Sequence, residues 1–432
     1  MLVKFTVENY LSFKERTSID LTATSLTHLR NENLQKTQLN NLTLLKSMII
    51  YGANSYGKSN LFKAIKFVRG FILDSSKDSQ SDEPINIEPF RLSTETLEKP
   101  SFFELVFVHD SVKFRYGFEV DTSIVHSEWL FATTKNKEQI LFDRNFQDIS
   151  ISKKFNSASK NLTTITRKNA LFISVCAQFN IDTGMSILKA LSNVQYISGT
   201  EDSFIMDFTI EMMEDPHKRI FVENFIGGAN LGFDEIRVER FKLTEEILAK
   251  NKVPKQIRKL ILDSDEENKV ISTKHSVYNK NNEEVDSTYF NLIANESLGT
   301  RKYVALAGPI IDTLLNGKTL IIDEFDARLH PLLSKAIIQL FNSEDNNPYG
   351  AQLIFASHNS SLINPKRKLF RRDQIIITEK DRYGVTTMES LFNKKIDGKK
   401  IRKDASFEKD YLEGKYDGIP DVQISNQLEL FN

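Results

Sequence analysis

Apolar and polar positions alternate from the start of the chain: Leu2, Phe5, Val7 and Tyr10, then Phe13, Ile19 and Leu21. A period of two marks half-buried strands, so two short strands are expected around a turn near Asn9–Ser12. Residues 24–42 are polar and read as a loop or a frayed helix. A buried strand is expected over 44–51, then a helix over 59–73 with Phe62, Ile65, Val68 and Ile72 on one face. The Ser- and Asp-rich stretch Asp74–Glu83 reads as an exposed loop. Strand patterns recur over 100–145, at Phe102–Phe107, Phe114–Val120 and Glu128–Thr133, and predict an antiparallel sheet. Over 155–265 the pattern turns mostly helical, including a charged amphipathic helix at Thr244–Lys259 that Pro254 interrupts. Residues 263–286 are polar and read as loop, and from 287 a second α/β segment begins. Sustained heptads are missing, so no long coiled coil is expected, and no internal repeat is found.

The chemistry sits where these elements meet. Residues 52–59 read Gly-Ala-Asn-Ser-Tyr-Gly-Lys-Ser, a G-x-x-x-x-G-K-S loop between an expected strand and an expected helix. Gly52 and Gly57 let backbone N–H groups turn inward onto phosphate oxygens, and the next helix points its positive dipole end at the same anion. Lys58 can reach β- and γ-phosphates, and the Ser59 hydroxyl can ligate Mg²⁺. Asn54 in the loop and Asn60 just after it complete the nucleotide-binding candidates on this segment.

Further along, Lys318-Thr-Leu-Ile-Ile-Asp-Glu is a short apolar strand ending in two carboxylates. Asp323 is placed to hold Mg²⁺ and Glu324 to polarise an attacking water. Just ahead, Ser297, Gly299 and Thr300 open an apolar helix, a second anion-binding helix start. One phosphate loop does not need two; a head-to-tail dimer does, each Ser297 segment closing over the γ-phosphate held by its partner. Another strand, in Gln352-Leu-Ile-Phe-Ala-Ser-His-Asn, ends in His358, which is placed to contact the γ-phosphate. His330 reads as a residue of a helix start or an interface.

Composition narrows the setting. The chain has 432 residues, 57 Lys+Arg against 58 Asp+Glu, and a net charge of −1, so any nucleic-acid binding needs a local patch. Cys176 is the one cysteine, which excludes an internal disulfide and fits a reducing cytoplasm. Neither a long apolar span nor a signal-peptide core is present, so no membrane attachment is expected.

The order of phosphate loop, Ser-Leu-Gly-Thr, Ile-Ile-Asp-Glu, Ala-Arg-Leu-His and Ser-His resembles the ABC-type ATPase heads of the SMC, RecF and OLD group. Ser297-Leu-Gly-Thr, Leu329-His-Pro, Arg372-Asp-Gln-Ile and the tail Ile401–Leu412 are more particular. They are similar to the compact prokaryotic AAA-type ATPases of the AbiL/RloA type, found in phage-defence and abortive-infection loci. The resemblance covers roughly residues 1–120 and 270–420. It implies an α/β P-loop NTPase with an ABC-type head, an attached antiparallel sheet and a mostly helical insert. The expected division is a nucleotide-binding lobe over 1–150, the insert over 151–286, and over 287–432 a lobe with signature, acidic strand and switch histidine. It further implies ATP and Mg²⁺ as ligands, with Gly52, Gly57, Lys58 and Ser59 on the nucleotide and metal. Asp323 and Glu324 then serve metal and hydrolysis, Ser297 and Gly299 the trans signature, and His358 the switch. The partners it implies are a second copy of the chain and a separately encoded effector, a Toprim-like nuclease or a toxin. The glutamine loop that couples metal to the opposite lobe has no assigned place in this sequence. A DNA-repair ATPase is the alternative, with the basic runs Lys366–Arg372 and Lys394–Lys403 as contacts. A transporter subunit lacks support from the signature, and a nuclease reading of Glu379 and Asp381 competes with a simple hairpin turn.

Overall fold

A computed structural model describes the chain except residues 40–41, 77–82, 135–136, 156, 200–201, 251–253, 264–266, 404 and 421–432. Most of the loop expected over Asp74–Glu83, and the acidic start of the loop expected over 263–286, lie outside the described residues. The chain forms two compact units: Met1–Gly199 with Thr313–Asp326 and Ser334–Asn432, and Thr200–Asp312 with Ala327–Leu333.

The first unit is built on two sheets. One has the strand order Val194–Ser198, Thr319–Asp323, Gln352–Ala356, Ser47–Tyr51, Ile375–Lys380 and Thr386–Ser390. The first five run parallel and the last antiparallel. The three strands that lead to the candidate residues are buried at every position, which is why their sequences are continuous apolar runs rather than alternations. Helix Lys58–Asp74 buries Leu61, Phe62, Ile65, Val68 and Ile72, the face its 3.6-residue period predicts.

The second sheet has seven antiparallel strands, from Asp148–Ile151 at one edge to Leu2–Glu8 and Thr17–Asp20 at the other. Its alternating residues feed a phenylalanine-rich core that includes Phe5, Phe103, Phe118 and Phe142. Glu128, fully buried in this sheet, accepts hydrogen bonds from Phe172 N, Ile173 N and the Tyr116 hydroxyl and faces the buried Arg144 guanidinium. Its carboxylate thereby meets the otherwise orphaned N–H groups that open helix Phe172–Gln178. The segment 24–42, read as loop or frayed helix, holds a single helical turn, Arg30–Asn33, and a strand, Leu34–Lys36, paired with Thr43–Leu45.

Helices Asp202–Glu214 and Pro216–Gly227 pack together in the second unit, beside a three-stranded sheet of Glu235–Phe241, Asn268–Tyr278 and Glu284–Asn291. The polar stretch read as loop up to 286 is therefore mostly a hairpin. Its strands carry Lys269, Lys274, Ser276, Asp286 and Thr288, so polarity on both faces hid the alternation. Helix Leu298–Asn316 contains Pro309, which has no N–H for the Ala305 carbonyl. The Thr209 hydroxyl fills that gap, donating to Ala305 O at 2.6 Å and accepting from Gly308 N at 3.0 Å. No described helix exceeds 19 residues, the length of this one, so the described chain contains no long coiled coil.

Candidate functional site

The phosphate-loop strand lies in the interior of the parallel sheet, with Ile354 paired to Met48 on one side and Ile376 to Ile50 on the other. Such a strand ends with its backbone fixed from both sides, and the loop starts from that fixed point. A Cβ on Gly52 would fall 1.8 Å from Thr378 Oγ1, whose hydroxyl donates to Tyr51 O. Gly57 adopts φ +96°, and a Cβ there would also meet Thr386 Oγ1 at 2.4 Å. Both glycines are thus required by the loop's packing and path.

Ser12, Asn60 and Thr386 form a polar knot around Gly57. The Asn60 amide and the Thr386 hydroxyl both donate to Ser12 Oγ, at 2.8 and 2.9 Å. Asn60, expected on the nucleotide, uses one amide N–H to hold the loop's base. Asn54 is exposed at the loop tip, and Ser59 is half-buried in the first helical turn. The Lys58 ammonium donates to Gly52 O at 2.7 Å and Ala53 O at 3.0 Å, inside the curl of the loop.

The acidic strand brings Asp323 and Glu324 to the same place. Asp323 is buried and accepts from Glu324 N at 3.1 Å, while Glu324 is exposed in a left-handed conformation at φ +51°. A non-glycine residue there is strained, a state that packing has to hold in place. Gly199 N and Phe325 N brace the turn by donating to Asp323 O and Ala356 O. Two residues on, Asp326 Oδ1 accepts from the backbone N–H of His358 at 3.3 Å.

These groups act on one another electrostatically. Burial pushes the Lys58 ammonium down, and Asp323, Glu324 and Asp326 pull it back up. Desolvation, then the Lys58 charge, hold the His358 ring below its usual range against the same three carboxylates. Lys58, Asp323, Glu324 and His358, predicted from three separate stretches, thus meet in one cluster. Asp326 joins them without having been singled out, although it is visible in Asp323-Glu-Phe-Asp326. Ser12, Thr378 and Thr386 carried no sequence signal, because each gains its role only through contacts made over hundreds of residues.

Hard oxygen donors, the Ser59 hydroxyl and the Asp323 carboxylate, suit Mg²⁺. Among the described residues no group of three or more His, Cys, Asp or Glu could hold a metal alone.

The signature candidates belong to the second unit. Ser297 Oγ accepts from Thr300 N at 3.1 Å and bonds the Thr300 hydroxyl at 2.9 Å, capping helix Leu298–Asn316 as its sequence predicts. Ser297 and Leu298 are exposed. Gly299 leaves no room for a side chain, since a Cβ would lie 2.8 Å from Arg328 O. Glu296, just before, accepts from Thr273 Oγ1 at 2.8 Å and contacts His275 Nε2 at 3.0 Å, which ties the segment to the hairpin.

Two other sequence readings are narrowed by internal contacts. Arg371 is fully buried, its guanidinium on Asp373 and the carbonyls of Thr24, Leu26 and His28. Lys394 is buried and paired with Glu379 and Asp417. Both basic runs are thus partly structural. Asp381 accepts from Tyr383 N and Val385 N in the expected hairpin turn, and Glu379 is spent on Lys394, which removes the acidic pair of the nuclease reading. His330 Nδ1 accepts from Leu332 N at the start of helix Pro331–Asn342.

Among solved structures, the chain is similar to an SMC head bound to the C-winged helix domain of ScpA, at 14% identity over 90% of this chain and 97% of that one, TM-score 0.45. It is also similar to the SMC head domain from Thermotoga maritima, at 13% identity over 90% and 98%, TM-score 0.39. A third is the Smc head with an extended coiled coil from Pyrococcus furiosus, at 13% identity over 90% and 96%, TM-score 0.40. No curated protein matches. A family profile described as "AAA domain, putative AbiEii toxin, Type IV TA system" matches residues 47–364, well over half of the chain. The protein belongs to this family of P-loop ATPases.

Proposed function

We propose that the protein is an ATP-hydrolysing switch that closes head-to-tail with a second copy of itself around ATP and signals to a partner effector. The observation that carries this reading is the cluster of Lys58, Asp323, Glu324 and His358 beside a phosphate loop whose helix starts uncapped. The Lys58 ammonium would transfer from the Gly52 and Ala53 carbonyls to phosphate oxygens. Ser59 and Asp323 would hold Mg²⁺, which supplies charge neutralisation on the phosphates. Glu324 would orient the attacking water, and neutral His358 would donate one hydrogen bond to the γ-phosphate. Ser297, exposed at a helix start, and the half-buried Gly299 beside it would complete the partner copy's site.

The family description supports a role in toxin–antitoxin or defence systems, and the effector class of this reading is a separately encoded nuclease or toxin. A cytoplasmic setting is supported by the single buried thiol of Cys176, and no described helix is long and apolar enough to cross a membrane. Direct action on nucleic acid is the weaker reading, because Arg371 and Lys394 are committed to internal partners.

Phosphate release by wild type and Glu324→Gln tests the hydrolytic assignment. The variant should bind ATP and release almost no phosphate; wild-type turnover in it would remove Glu324 from the role. Capture from the native host on the ATP-held variant tests the signalling assignment. A co-purifying protein without nucleic acid supports the switch, and salt-sensitive DNA or RNA alone supports the repair-type reading.

A further inference from the structure

Lys46 stands immediately before the phosphate-loop strand, at the opposite end from the loop, and a five-residue strand separates the two by about 16 Å. Its side chain is 1% exposed. Among the described residues it forms no ion pair, and its one hydrogen bond is a long 3.5 Å contact to Ser343 O. A buried ammonium left this way is costly, and proteins rarely keep one without a partner.

Lys46 lines a cavity of about 480 Å³ together with Arg30, Lys36, Asn31, Thr43 and Glu344. Arg30 and Lys36 are exposed at its rim and form no ion pairs among the described residues. Three cationic residues therefore line one space, against the single lining carboxylate of Glu344. Burial lowers the Lys46 ammonium from its ordinary value, and Glu344 and Glu32 offset only part of that. An anion in the cavity would supply the missing partner.

We infer that this cavity is a second ligand site, one that binds a small phosphate monoester. A dianionic phosphate matches a guanidinium and two ammonium groups through charge-assisted hydrogen bonds. Glu344 would accept from a hydroxyl or amine of the same ligand, and Asn31 and Thr43 offer further polar contacts. The volume falls in the range of small-molecule sites. The inference is independent of the ATPase reading, since none of these residues belongs to the phosphate-loop cluster.

The test is equilibrium dialysis of labelled inorganic phosphate against the full chain carrying Lys58→Ala, which removes the phosphate loop as a competing site. One saturable phosphate per chain is expected, and glycerol 2-phosphate should displace it. Adding Lys46→Met should weaken binding by about tenfold or more, the worth of one charge-assisted bond. That variant should melt no lower than its parent without phosphate, because a buried charge is removed. If Lys46→Met fails to fold, Arg30→Ala with Lys36→Ala, both exposed, should give the same loss. The proposal is overturned if no saturable binding occurs at millimolar phosphate, or if these substitutions leave affinity unchanged. Displacement by a single-stranded oligonucleotide but not by glycerol 2-phosphate would overturn it too.

Discussion

Two helices begin at candidate anion sites, and they begin differently. Helix Lys58–Asp74 starts after Gly57 with no side-chain cap, so its first N–H groups remain for a ligand. Helix Leu298–Asn316 starts with Ser297 Oγ already accepting from Thr300 N. The first start is surrounded by buried or charged partners, including Lys58, Asp323 and Glu324. Around the second, Ser297 and Leu298 are exposed. One region is equipped to hold an anion unaided. The other offers an exposed hydroxyl that already caps its own helix, beside a half-buried glycine.

The largest expected effect tests the self-sufficient region. Lys58→Ala should weaken ATP binding by about a hundredfold or more, since two charge-assisted phosphate contacts are lost. Isothermal titration checks this, and normal affinity would break the comparison at its stronger end. Glu324→Gln comes next: hydrolysis should fall by about 10²–10⁴ with binding retained, read as phosphate release per chain. Ser297→Arg probes the other region. It should abolish ATP-dependent association while leaving ATP affinity of the single chain unchanged, and equal damage to both would mean that Ser297 is only a cap.

A smaller effect concerns the helix that carries the signature. Thr209→Val should cost about 1–3 kcal/mol in urea unfolding, because the Ala305 carbonyl beneath Pro309 loses its donor. The smallest is pH-dependent. His358 is held below its ordinary value, so the folded state favours the neutral ring. The stability linked to it is present above about pH 6.5 and is lost as pH falls from there through the depressed folded value. His358→Gln should therefore lose less melting temperature than wild type between pH 7 and pH 5. An identical slope would show that the ring's protonation does not matter to the fold.

The same contrast explains what the sequence made legible. Gly52–Ser59 and Asp323-Glu324 are local patterns, each carried by one strand end, and both occupy the positions their spacing predicts. Ser12 and Thr386, which clamp Gly57, lie 374 residues apart, so no window along the chain could pair them. The hairpin Asn268–Asn291 escaped because its polar residues occupy both faces of the strands. The run Lys366–Arg372, a candidate nucleic-acid contact by its charge, gave no sign that Asp373 and three carbonyls enclose Arg371.

The most direct measurement is sedimentation velocity of Glu324→Gln with and without MgATP, run beside the same protein carrying Ser297→Arg. The account predicts a single-chain species without nucleotide, a dimer with ATP, and no dimer when Ser297 is replaced. An ATP-bound protein that sediments unchanged, or a dimer indifferent to Ser297→Arg, would contradict it.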